Sequence, residues 1–165
     1  MQSVLEPATA PDKTEEKSLF RILFVCTGNT CRSPMAAALA NAHAKASGNE
    51  SLVAASAGLF ANDGEPIAKN AVLALDAAGI EPRDYRAHLA HTLTEEEAAN
   101  CDLLVGVTRS HAAELLFRFP NFATRITCLP TDIPDPYGGD LDTYKACLSA
   151  LDNAVRALLF PEVTP

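Results

Sequence analysis

Seven residues, FRILFVC (20–26), run directly into TGNTCRSP (27–34), and the alanine-rich MAAALANAHAKASG (35–48) follows without a break. No other stretch restricts the fold so strongly. A short apolar run of this kind forms a buried strand, and the alanine-rich segment closed by Gly48 forms a helix. Pro34 suits the first turn of that helix, where its missing N–H costs nothing.

The alternation repeats. SLVAASAG (51–58) reads as a second strand, and PIAKNAVLALDAAG (66–79) as a helix with a proline start and a glycine stop. RAHLAHTLT (86–94) is irregular, and Thr94 with Glu97 forms a capping box for a short helix through Asn100. DLLVGVT (102–108) is a third strand, followed by a helix over SHAAELLFRF (110–119). TRITCLP (124–130) is a fourth strand, and the turn-rich IPDPYGGD (133–140) precedes a last helix from about Leu141 to Phe160. Strands alternating with helices imply a single doubly wound α/β domain, with a four-stranded parallel sheet covered by helices on both faces. The site of such a domain lies at the carboxyl ends of its strands, where Cys26 falls. Residues 1–18, rich in Pro, Thr, Lys and Glu, read as a flexible tail, leaving 19–165 as the domain.

Composition narrows the function. A net charge of -8 argues against a nucleic-acid or anionic-membrane partner, because either needs a cationic surface. No apolar stretch is long enough to span a bilayer, and the N-terminus lacks the basic start and apolar centre of a secretory signal, so the expected location is the cytoplasm. Five cysteines, an odd number irregularly spaced, argue for free thiols rather than a disulfide framework.

A loop running from a parallel strand into a helix gathers unpaired N–H groups at the positive end of the helix dipole, and is therefore an anion receptor. In Cys26, Thr27, Gly28, Asn29, Thr30, Cys31, Arg32 and Ser33, glycine lets the backbone curl, and asparagine tolerates a left-handed conformation. The Arg32 fork can return to the centre of the ring and clasp two phosphate oxygens. A sulfur at the base of this cradle is favoured in its ionised form, which makes Cys26 a nucleophile, with Ser33 able to steady the thiolate by a hydroxyl hydrogen bond. Only Cys26 has an arginine six positions on; the same offset from Cys31, Cys101, Cys128 and Cys147 reaches Ala37, Val107, Pro134 and Asn153. Attack on phosphorus also needs an acid for the departing atom. Asp132, Asp135 and Asp140 are candidates beyond the fourth strand, and Asp135, held between two prolines, is the best placed.

VCTGNTCRSP, DPYGG and the intervening SAG together resemble the low-molecular-weight protein tyrosine phosphatases, in order and length from about Arg21 to Leu159. The resemblance implies Cys26 as the nucleophile of a phosphocysteine intermediate, Arg32 as phosphate clamp and transition-state stabiliser, and Asp135 as general acid and then base. It implies a reversible Cys26–Cys31 disulfide that shelters the nucleophile from irreversible oxidation. No metal or other cofactor is implied. Tyrosine-specific members usually carry a branched apolar residue at the place of Thr30, whereas the protein arginine phosphatase branch carries threonine and an aromatic followed by two glycines in the acid loop. The resemblance is therefore to the arginine-directed branch, with phosphoarginine in phosphorylated proteins as the substrate, phosphotyrosine as the alternative, and Tyr137 lining the entrance.

Arsenate reductases share the fold, but use further paired cysteines that LLVGVTRSHAAELL (103–116) lacks. Cys101 and Cys128 are expected in the core. A phosphate- or thiol-sensing module without turnover would not need Asp135. His88 and His91 lack a zinc-like pattern and read as surface residues, as do His43 and His111 on their helices. Oligomeric state and target proteins have no signature in the chain.

Overall fold

The computed structural model describes residues 18–161, so all of the expected tail except Ser18 lies outside the described residues. Strands β1 (Phe20–Cys26), β2 (Leu52–Gly58), β3 (Leu103–Gly106) and β4 (Ile126–Cys128) form one parallel sheet in the order β2-β1-β3-β4. Between and after them come helices α1 (Arg32–Ala46), α2 (Lys69–Ala77), α3 (Glu95–Ala99), α4 (Arg109–Arg118) and α5 (Leu141–Leu159). Four strands of one direction and helices on both sheet faces match the expected doubly wound class.

The sheet order follows from the side chains of β1. Ile22, Phe24 and Cys26 point into one buried cluster with α1, α2 and α5, while Leu23 and Val25 point into a second with Ala98, Leu104 and Leu115. A strand apolar on both faces belongs in the sheet interior, and β1 is paired on both sides, with β2 and β3. The chain leaves β1 toward β2 on one side and later returns to β3 on the other. The reversal opens a crevice beyond the carboxyl ends of β1 and β3.

Helix α1 packs closely because its contact face is alanine: Ala36, Ala37, Ala38, Ala40 and Ala44 are buried with Met35 and Leu39. Asn41 ties it to the sheet, donating to Ala54 O at 3.0 Å and accepting from Ala54 N at 2.9 Å. Helix α2 starts at Lys69, not at Pro66, because Pro66 is engaged in a bridge with Leu89 and Ala68 N donates to Thr30 O at 2.9 Å. The capping box expected at α3 is half formed. Thr94 accepts from Glu97 N at 3.1 Å, but the Glu97 carboxylate turns to His91 at 2.9 Å.

Candidate active site

Beyond the last residue of β1 the backbone of residues 27–31 curls into the start of α1, and Asn29 takes the left-handed φ of 61° that the sequence allows it. Four bonds hold this buried residue: its Nδ2 donates to Ser33 Oγ (2.8 Å) and Ser56 Oγ (3.0 Å), its Oδ1 accepts from His91 N (3.1 Å), and its carbonyl accepts from His88 Nε2 (2.7 Å). The loop's shape is thus fixed from inside. No side chain caps α1, so its leading N–H groups remain available to an anion.

Cys26 lies at the end of β1, buried, with its Sγ 2.9 Å from Ser33 Oγ. That hydroxyl accepts from Asn29, and its one proton has two acceptors in reach, the sulfur and, farther off at 3.4 Å, Ala57 O. Arg32, also buried, donates from Nη1 to Ile133 O at 2.9 Å, and Nη2 lies 3.7 Å from Asp135 Oδ2. The carbonyl of the acid-bearing loop therefore aims the guanidinium.

The three candidate aspartates separate cleanly. Asp132 accepts from Arg109 N at 2.9 Å and pairs with its guanidinium, bonds that hold its carboxyl below the usual range. Asp140 caps α5, accepting from Thr143 N at 2.9 Å and from its hydroxyl, again with a lowered pKa. Asp135 has one local bond, from Tyr137 N at 3.1 Å, and its half-exposed carboxylate faces Arg32. Only Asp135 of the three lines the pocket, a cavity of about 270 Å³ that also contains Cys26, Thr27, Gly28, Asn29, Thr30, Cys31 and Arg32. Ser33 stands behind it, in contact with the sulfur.

Phe60, Asn62, Glu65 and Tyr137 complete the lining. Phe60 and Tyr137 are the exposed aromatics at the mouth, 67% and 75% exposed, and Arg118 stacks over Phe60 at 4.2 Å. Phe60, Asn62 and Glu65 escaped the sequence reading, although they follow SAG at the carboxyl end of β2, where loops of this fold meet the site. Cys31 is buried, its Sγ 3.2 Å from Tyr144 Oη, and burial pushes its thiol up.

Apart from His91, the histidines correct the sequence reading. His88 is half-buried and braces Asn29 with its ring, since the irregular segment folds back over the loop, whereas the His91 side chain stays 41% exposed, as expected of a surface residue, and holds Asn29 only through its backbone N–H. His43 is half-buried and paired with Asp152 at 2.6 Å across α1 and α5. His111 is buried, because the turn after β3 brings the first turn of α4 under residue 27. Cys101 joins the core as expected, whereas Cys128 on short β4 is only half-buried. Among the described residues no group of three or more His, Cys, Asp or Glu side chains is arranged to hold a metal ion. Nor is any helix there long and apolar enough to cross a membrane.

The chain is 35% identical to a protein-arginine-phosphatase of Bacillus subtilis, over 83% of this chain and 93% of the relative. It is 36% identical to a protein-arginine-phosphatase of Geobacillus stearothermophilus, over 84% and 93%. A crystal structure of a low molecular weight protein tyrosine phosphatase from T. tengcongensis superimposes with a TM-score of 0.78 at 39% identity, covering 85% of this chain and 97% of that one. The model of the family described as low molecular weight phosphotyrosine protein phosphatase matches residues 21–164. A cysteine at the end of the first strand, an arginine turned back over it and an aspartate opposite thus sit in a chain that belongs to the low-molecular-weight phosphatase family.

Proposed function

We propose that the protein dephosphorylates phosphoarginine in other proteins, through a phosphocysteine on Cys26. The observation that carries the mechanism is the alignment of three groups across one pocket: Cys26 with Ser33 Oγ at 2.9 Å, Arg32 fixed by Ile133 O, and Asp135 at 3.7 Å from Arg32. A phosphoryl group seated on the loop N–H groups of residues 27–32 and on the Arg32 fork presents phosphorus to the sulfur. The thiolate forms the S–P bond as the P–N bond breaks, and Asp135 gives its proton to the departing guanidine nitrogen. Ser33 returns its hydroxyl bond to the sulfur when the thiolate leaves. Asp135, now a carboxylate, draws the proton from the water that attacks phosphocysteine and releases phosphate. Arg32 and the helix terminus hold the charge that builds on the equatorial oxygens.

Three features favour phosphoarginine over phosphotyrosine. Thr30 puts a hydroxyl, not a branched apolar group, in the buried part of the pocket. Glu65 lines the same cavity and suits a cationic guanidinium better than a neutral ring. The two protein-arginine-phosphatase relatives match over most of their length. We further infer that oxidation joins Cys26 to Cys31 in a reversible disulfide, both thiols being free and lining the pocket. Five free cysteines fit a reducing compartment such as the cytoplasm.

The test is a side-by-side comparison of kcat/KM on peptides bearing phosphoarginine, phosphotyrosine and phosphoserine, with wild type and Thr30→Ile. Wild type is expected to prefer phosphoarginine, and the variant to move toward phosphotyrosine by about tenfold or more. A wild-type preference for phosphotyrosine, or an unchanged ratio in the variant, would refute the substrate assignment.

A further inference from the structure

His111 is the only buried histidine among the described residues, and nothing in the phosphoryl-transfer steps above employs it. Its ring joins two structures. Nδ1 accepts from Thr108 N at 3.2 Å and lies 2.9 Å from Thr108 Oγ1, while Thr108 Oγ1 accepts from His111 N at 3.2 Å, so the histidine takes the place that Glu or Gln usually fills in a capping box. Nε2 lies 3.0 Å from Thr27 Oγ1, on the residue next to the nucleophile.

The tautomer follows from these contacts. A nitrogen that accepts from a main-chain N–H carries no proton, so in the neutral ring the proton is on Nε2 and is donated to Thr27 Oγ1. A hydroxyl that accepts there keeps its own proton for another partner, and Thr27 lines the pocket. The ring stays neutral at physiological pH. Burial and the Arg32 charge lower its pKa to about 4, against partial opposition from Asp135 and Asp132. Its platform is rigid. Val107 N donates to Val25 O at 2.9 Å, tying the turn to the end of β1, and a Cβ on Gly106 would sit 2.5 Å from Ala112 N and 2.9 Å from Thr108 O.

We propose that His111 is a positioning residue that turns the Thr27 hydroxyl proton toward a phosphoryl oxygen in the pocket, adding a donor to the main-chain cradle. This rests on the phosphatase reading above. The histidine also reports which way the hydroxyl points: remove Nε2–H, and Thr27 spends its proton elsewhere.

Two measurements test it. The first is kcat and KM on para-nitrophenyl phosphate for His111→Asn, Thr27→Val, Thr27→Ser and the His111→Asn/Thr27→Val double variant. Asparagine keeps an acceptor near the Nδ1 position for the helix cap but has nothing in reach of Thr27. His111→Asn and Thr27→Val should each lower kcat about tenfold, Thr27→Ser, which keeps the hydroxyl, should recover most of the Thr27→Val loss, and the double variant should be no slower than Thr27→Val alone. Losses that multiply to about a hundredfold, or a Thr27→Val enzyme at the wild-type rate, would overturn the proposal. The second is the ring tautomer of wild type, read from the nitrogen chemical shifts of His111 by NMR, which needs no variant to fold. Nε2–H is expected, and Nδ1–H would overturn the proposal. A wild type inert toward the aryl phosphate counts against the phosphatase reading, whereas an active wild type with Nδ1–H counts against the His111 assignment alone.

Discussion

Replacing Gly58 by alanine adds one methyl group at the place where β2 touches the loop that follows Cys26. Gly58 pairs with Cys26 in the sheet register, its N–H donates to His91 O at 2.9 Å, and its carbonyl accepts from Leu93 N at 2.8 Å. A Cβ there would lie 2.7 Å from Thr27 O, 3.0 Å from Ala61 Cβ and 3.1 Å from Asn29 Cβ. Carbon to carbonyl oxygen contacts settle at about 3.3 Å or more, so either strand or loop must give by roughly 0.5 Å. Neither yields cheaply. Thr27 O also accepts from Phe60 N at 2.9 Å, and Asn29 is held by four bonds, so the displacement spreads through the anion cradle. Overpacking of this kind costs about 1–3 kcal/mol of stability. Misplacing reacting groups by a comparable fraction of an ångström lowers turnover by about ten- to a hundredfold. Urea unfolding and steady-state hydrolysis of para-nitrophenyl phosphate measure the two effects on the same preparation. A Gly58→Ala protein as stable and as fast as wild type would refute the claim that strand β2 shapes the loop.

Cys26→Ser should abolish turnover while retaining phosphate or vanadate binding, followed by calorimetry; appreciable residual hydrolysis would contradict a covalent route. Asp135→Ala should slow substrates with poor leaving groups far more than activated aryl phosphates, and an equal loss across a leaving-group series would remove its role as the acid. The depressed His111 pKa has a pH signature in stability: below its ordinary value of 6.5 the unfolded chain takes up a proton that the folded chain refuses until about pH 4. Unfolding free energy should therefore fall by about 1 kcal/mol as the pH drops from about 6.5 to about 5.5, and show no such term above that window. His88, also depressed by burial, adds in the same direction, so His111→Asn should flatten this slope only in part. An identical slope in wild type and variant would show that His111 does not titrate as the structure requires.

The parts of this protein that could be read from its sequence are those built from neighbours in the chain. Strand, loop and helix over residues 20–46 are contiguous, so their periodicity, the left-handed Asn29 and the unbroken run of alanines announce themselves directly. The choice among Asp132, Asp135 and Asp140 was only suggested by the flanking prolines. Asp135 is favoured because partners 23 residues away, at Arg109, and three residues away, at Thr143, occupy the other two carboxylates. His111 departs from the surface reading because burial is a tertiary property. On a helical wheel His111 resembles any polar residue, and its place under Thr27 depends on how close Gly106 lets α4 approach β3. One local sign existed: threonine at an N-cap followed three residues later by a polar side chain is a capping-box pattern, with histidine in the usual place of glutamate.

The position of β1 bears on how the enzyme fails under heat or denaturant. Its residues Ile22 to Cys26 are at most 3% exposed, and Ile22 to Val25 have a neighbouring strand on each side, so their amides belong to the last group to exchange with solvent. Cys26, the proposed nucleophile, directly follows that protected segment, and the loop after it is tied down by the four bonds of Asn29. Catalytic competence and cooperative melting should then disappear together, with no temperature interval in which a folded but inactive enzyme accumulates.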